Sequence, residues 1–363
     1  MKILFAILLF PIIIKVIWVM TFRLRNKKKD ILERANYLIS KVATSPKQLL
    51  SEMPRQIGSQ FQGEWAIYSC SMTCKALANI AEPCCKEPIA KIIKIALSKE
   101  IRKYDTDRWH EDPLEGLDGN QSHLSYYSHL AWMIGEYKSV CNDSQFDSLY
   151  HSLCEAMYKR LNNSPTLNIP TYPHEHIYIP DMLVAIVALH IYNKLYDGRY
   201  QDFVDSWMNK AKTEWIDRET GLLASYMKKD GTISPTIRGS YSALNCYYLA
   251  LIDIDFAKQQ FQRLKTLFKQ NFPIVGIKEY PQEKCLFGWD IDAGPILFNL
   301  SPSGTAFAIG CATIFKDSKF QKQLLLTAEL AGTSVTYNHE THYILANLAL
   351  VGEAIVLAMR TTP

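Results

Sequence analysis

Four long apolar segments begin near Trp65, Ser122, Ile179 and Thr236, a step of 57 residues each time. A fixed step of this size is the mark of a repeated supersecondary unit. Each segment is followed by a more charged, amphipathic one: Pro88–Glu100, Asp143–Asn162, Arg199–Trp215 and Asp255–Gln270. A helix that is apolar nearly all round has to be buried on most faces, and an amphipathic helix can cover it. Two further apolar segments, Pro302–Phe315 and Thr341–Met359, enclose an amphipathic one at Asp317–Leu330, and Lys29–Val42 can serve as outer partner of the last. Six such hairpins predict an all-α architecture, an (α/α)6 toroid over residues 31–363. Its apolar helices form the inner ring. Turn signals at Asp217–Gly221 and Lys229–Gly231 predict a β-hairpin leading into the fourth inner helix, and Pro273–Trp289 predicts a second.

In such a ring the inner helices run parallel, so their beginnings converge on one mouth. The third beginning, Tyr172 to Asp181, is crowded with Tyr172, His174, Glu175, His176, Tyr178 and Asp181 before the chain turns apolar. Pro180 suits a first helical turn, where its missing N–H has no partner anyway, and Asp181 there complements the helix dipole. The other beginnings share the habit. The first carries Glu64, Trp65 and Tyr68, the second His123, Tyr126 and Tyr127, and the fourth Arg238 and Tyr241. The fifth is approached by Trp289, Asp290 and Asp292. Aromatic rings supply walls while His, Asp and Glu supply proton transfer, so a funnel for a small-molecule substrate is the prediction. Taken singly, each residue has a plainer explanation. Asp181 can be a helix-start acid, Asp290 and Asp292 can shape a turn, and Arg238 can pair with a neighbouring acid. His129 and His190 lie inside apolar helices and read as core histidines.

Residues 3–22 form an apolar run broken by Pro11 and Lys15, followed by Arg23, Arg25 and Lys27 to Lys29. The run is long enough to cross a bilayer, which takes about 20 residues. It predicts a single-pass anchor over residues 1–22, a basic juxtamembrane segment over 23–30, and a cytoplasmic globular part. Net charge is +4, and the basic residues are otherwise dispersed, which leaves no patch for nucleic acid. The nine cysteines lack disulfide or zinc spacing, which fits a reducing compartment. His174-Glu175-His176 falls short of a metal motif, and nothing points to a cofactor.

Four stretches between His123 and about Phe272 stand together: His123–Leu130 (HLSYYSHL), Ile177–Leu195 (IYIPDMLVAIVALHIYNKL), Trp215–Tyr226 (WIDRETGLLASY) and Arg238–Leu251. In them the chain resembles the bacterial linalool dehydratase/isomerase family. The resemblance implies an (α/α)6 barrel. It also implies hydration, dehydration or isomerisation of a small hydroxylated, apolar substrate, and makes a homo-oligomeric ring conceivable. The family's catalytic histidine falls on His123 and a pocket tyrosine on Tyr68. Its two catalytic cysteines are replaced here by Tyr172 and Asp181. The residues present permit lyase or isomerase chemistry without a cofactor, with Asp181 and His123 as acid and base and Glu64 as a third proton carrier. Tyr68, Tyr127 and Tyr172 would orient a hydroxyl, with His174, His176, Tyr178, Arg238, Tyr241, Trp289, Asp290 and Asp292 completing the substrate lining. Two other readings stay open. One is a carbohydrate-active toroid using paired carboxylates from Glu64, Asp181, Asp290 and Asp292, with Trp65 and Trp289 stacking on sugar faces. The other is a non-catalytic, membrane-tethered binding protein. The character of the pocket lining separates them.

Overall fold

The computed structural model describes residues 2–19, 27–282 and 285–363. Its helices are α1 Lys2–Trp18, α2 Lys27–Val42, α3 Pro46–Ser51, α4 Gly58–Ile80, α5 Lys86–Ala96, α6 Lys99–Trp109, α7 Leu124–Val140 and α8 Asp147–Asn162. They continue with α9 Ile179–Leu195, α10 Gln201–Thr213, α11 Gly239–Ala250, α12 Ile254–Phe268, α13 Pro302–Ile314, α14 Ser318–Gly332 and α15 Leu350–Thr361. Four two-stranded antiparallel sheets join them: β1 Ile177–Tyr178 with β2 Tyr226–Met227, and β3 Lys269–Gln270 with β4 Gly276–Ile277. The other two are β5 Phe287–Asp290 with β6 Gly294–Leu297, and β7 Ser334–Tyr337 with β8 Glu340–Tyr343.

The inner ring is closed. Helix α4 packs on α7, α7 on α9, α9 on α11, α11 on α13, α13 on α15, and α15 back on α4. Helices α5 with α6, α8, α10, α12, α14 and α2 lie outside it. The division follows from the sequence. In α9 every residue from Met182 to Leu189 is buried, as a helix walled in on all sides requires. In α10 the buried set is the stripe Phe203, Val204, Trp207, Met208 and Ala211, the pattern of a helix with one wet face. Several helices start on side-chain caps: Ser98, Asp253, Ser301 and Asp317 each accept a backbone N–H of the first turn. Gly239 opens α11 where only glycine fits. A Cβ there would stand 1.8 Å from the Lys278 carbonyl oxygen.

One buried ionic cluster ties the two ends of the ring together. Arg34 on α2 has no exposed surface and bonds Asp30 at 3.2 Å, Glu329 on α14 at 3.1 Å and Glu353 on α15 at 2.6 Å. Its guanidinium lies 4.1 Å over the Tyr343 ring, and Arg360 supplies Asp30 with a second cation.

Three expectations need correction. Helix α1 has 17 residues, about 25 Å at 1.5 Å per residue, short of the roughly 30 Å of a bilayer core. Among the described residues no helix is long and apolar enough to cross a membrane. The Lys15 ammonium that interrupts the apolar run donates to the Leu330 carbonyl at 2.8 Å and to the Thr333 hydroxyl, so this helix is fastened to the end of α14. The expected single-pass anchor, and the membrane localisation built on it, are overturned. Residues 20–26, with most of the expected juxtamembrane segment, lie outside the described residues. Second, Thr341–Met359 is not one helix. Asn338 and His339 turn in the left-handed region (φ 49° and 62°), so the chain returns as β8 before α15 begins. Third, Pro88–Glu100 is split between α5 and α6, because Ser98 caps the second of them.

Candidate active site

Three inner-helix approaches bring carboxyls together. Glu64 stands in the second turn of α4, one turn before Tyr68 on the same face. Asp181 stands in the first turn of α9, behind Pro180. Asp292 sits in the tight turn of the β5–β6 hairpin, where Asp290 pairs with Gly294. The β1–β2 pairing holds this mouth in register: Tyr178, immediately before α9, lies opposite Tyr226 in the loop leading to α11.

The charge of Asp292 bears on both of the others, and that of Asp181 on Glu64. Burial pushes the Glu64 carboxyl up to about 8, the negative charges of Asp292 and Asp181 add to the rise, and a hydrogen bond from Tyr172 and the charge of Arg108 oppose it. Burial pushes Asp181 up to about 7, with Asp292 and Glu175 adding to it. A hydrogen bond from the Thr171 hydroxyl, 2.7 Å from Oδ2, opposes that rise. Asp292 is raised as well, again chiefly by burial, although the Tyr241 hydroxyl donates to it at 2.7 Å. Its side chain keeps 43% exposure, so it is walled by protein and still wetted. The Glu64 Oε2 atom has neither exposed surface nor a hydrogen-bond partner.

Tyrosines pack around these carboxyls. The hydroxyls of Tyr68 and Tyr248 lie 2.9 Å apart. The Tyr172 hydroxyl meets Ser125 Oγ at 3.0 Å, and Ser125 meets the Tyr104 hydroxyl at 3.1 Å. Tyr178 packs edge-on against Tyr241, centroids 6.0 Å apart. Two arginines border this lining. Arg108 lies 4.3 Å over the Tyr172 ring and bonds Glu175 at 2.8 Å. Arg238 lies 4.6 Å over the Tyr241 ring, bonds buried Glu279, and reaches Asp290 at 2.6 Å and Asp292 at 3.9 Å.

Other expected site residues stand apart from this group. His123 is fully buried in the left-handed region (φ 47°), its Nδ1 2.5 Å from Asp105 and its Nε2 3.2 Å from Glu111. Both ring nitrogens are therefore engaged by acids other than the three carboxyls. Tyr127 flanks that imidazole at 5.5 Å and donates its hydroxyl to the Pro113 carbonyl at 2.6 Å. His174 and His176 are exposed, the latter beside Tyr226 at 5.4 Å. Trp289 is 63% exposed on β5. Asp290 shapes the hairpin turn, accepting the N–H groups of Asp292 and Ala293 at 2.9 Å each. His129 is buried against Tyr68 and pushed down to about 3 by that burial, a core histidine bonded to Ser71.

Sequence reasoning missed Thr171, Arg108, Tyr248 and Glu279. Thr171 had a signal, since it adjoins the polar stretch before α9. Arg108 and Glu279 had none, lying beside other charged residues at the end of an outer helix and in a loop.

No protein-family model matches the chain, and no curated protein matches it. Among solved structures, an unsaturated glucuronyl hydrolase specific for heparin is similar, with a TM-score of 0.60 at 11% identity. The match covers 92% of this chain and 95% of that one. At this identity the likeness is one of fold alone. It has no bearing on the linalool dehydratase/isomerase family.

Proposed function

We propose that this chain is an acid/base enzyme acting on a sugar or a similarly hydroxyl-rich substrate, with Asp181 and Glu64 as the proton-carrying pair. One observation carries the reading: two carboxyls, each pushed toward neutrality by burial with the charge of Asp292 adding to both, stand among the same tyrosines. At neutral pH Glu64 keeps its proton and can give it to a leaving or bridging oxygen. Asp181 is half ionised near pH 7 and can take a proton from attacking water. This is the division of labour that cleavage or hydration at a glycosidic or enol-ether oxygen needs. Asp292, oriented by Tyr241, adds to the rise that burial gives both neighbours. Tyr68 and Tyr172 would orient substrate hydroxyls.

The fold shared with a glucuronyl hydrolase supports a carbohydrate rather than a terpenoid, as does a lining of phenol and carboxyl groups. The lyase or isomerase reading uses the same two carboxyls to remove or add water, and its support is the resemblance over His123–Phe272. In both readings His123 is a positioning residue, because Asp105 and Glu111 hold its ring. The test is turnover of a panel of nitrophenyl glycosides by the wild-type, Asp181→Asn and Glu64→Gln proteins. Each variant should lose about 10²- to 10⁴-fold in kcat/KM. Wild-type rates in both variants would overturn the assignment.

A further inference from the structure

The charge balance of the mouth narrows the substrate class. Both arginines beside the carboxyls are already engaged by acids of this chain: Arg108 by Glu175, and Arg238 by Glu279 and Asp290. Glu279 is itself fully buried and receives two further hydrogen bonds from Ser240, so Arg238 is held in place on that side. Glu64 and Asp181 then have no cation within ion-pairing distance among the described residues, and Asp292 has only the 3.9 Å contact to Arg238. Lys278 is directed elsewhere, onto the Pro281 carbonyl. A ligand carboxylate or sulfate entering here would meet an acid surplus with no free cation to receive it. An ammonium would meet Asp292, which is exposed enough to be reached and whose Oδ2 accepts the Tyr241 hydroxyl. The unpartnered Glu64 Oε2 is a second point that a ligand's polar hydrogen or oxygen would satisfy.

Resting on the carbohydrate reading, we propose that the site selects amino sugars over neutral sugars and excludes uronic acids, with the ligand ammonium at Asp292. This would set the chain apart from the glucuronyl hydrolase whose fold it shares.

The experiment is ligand-observed NMR titration of the full chain with glucosamine, glucose and glucuronate at pH 7.5, in low and high salt. Glucosamine should bind about tenfold more tightly than glucose, equivalent to ~1.4 kcal/mol, and glucuronate more weakly than either. High salt should compress the spread. Asp292→Asn, at a wetted turn position, should bring glucosamine to the level of glucose. Equal affinities, or glucuronate binding best, would overturn the charge selection and leave the carbohydrate reading standing. An unchanged order in the Asp292→Asn protein would overturn the placement of the ammonium. If none of the three sugars binds a protein shown to be folded by its thermal melt, the carbohydrate reading itself falls.

Discussion

The chain buries acidic groups in two places and treats them in opposite ways. At the seam of the ring, Asp30, Glu329 and Glu353 surround Arg34, with Arg360 as a second cation, and Asp30 is held below the usual carboxylate range. At the mouth, Glu64, Asp181 and Asp292 face one another with the nearby arginines engaged elsewhere, and all three rise. Burial alone penalises the charged form in both places. Only the seam supplies the opposite charge that outweighs it. A fold under selection for stability alone would treat the two alike, so the uncompensated mouth is the one with a task beyond holding the ring together.

The sharpest way to break this contrast is to remove the seam's cation. Arg34→Met leaves three acids in a site built for one guanidinium and should cost about 3–5 kcal/mol, the range for an orphaned buried charge partner. Chemical denaturation reads it directly. A loss below about 1 kcal/mol would mean that the cluster relaxes into water and the two regions are less different than their geometry says.

Asp181→Asn should do the reverse. The sign follows from the raised carboxyl. Its folded value near 7 lies above the ordinary 3.8, so whatever stability it gives is complete below pH 3.8 and is lost as pH rises through 7. At pH 8 the wild type therefore carries an unfavourable buried charge that asparagine removes. The variant should melt at a higher temperature than wild type at pH 8 while turning over about 10²-fold or more slowly. Equal melting temperatures at pH 8 would show that Asp181 is not held near neutrality.

How far these two regions could be foreseen differs for a physical reason. The ring was legible because burial on all faces leaves a helix no choice of residues, although the even 57-residue step is not kept: the inner helices begin at Gly58, Leu124, Ile179 and Gly239. Asp181 was legible because an acid behind Pro180, at the head of an otherwise apolar helix, stands out from its surroundings. Arg34 was not, since an arginine on a charged outer helix looks solvated until α14 and α15 close over it. The partners of His123 were equally hidden. Asp105 and Glu111 lie 18 and 12 residues upstream, on the end of α6 and the turn after it, a distance that no helical periodicity connects. The apolar run at the start misled because hydropathy counts residues and not helix ends. Among the described residues α1 spans Lys2–Trp18, and its lysine bonds to the body.

The smallest effect expected is also the one most specific to the mouth. Activity needs Asp181 ionised and Glu64 protonated, so kcat/KM should rise as pH approaches about 7 and fall above about 8, a narrow bell. Asp292 raises both neighbours by its negative charge. Asp292→Asn removes that charge and should move both limbs toward lower pH, since Asp292 is the strongest charged contributor to each. Shifts of a few tenths of a pH unit would suffice, since one whole unit corresponds to about 1.4 kcal/mol and a wetted pair at partial screening falls short of that. The seam offers the control: Glu353→Gln, remote from the mouth in the Arg34 cluster, should lower stability and leave the bell where it is. A bell that moves equally in both variants would mean that the profile reports unfolding, and the distinction between the two buried acid sites would be lost.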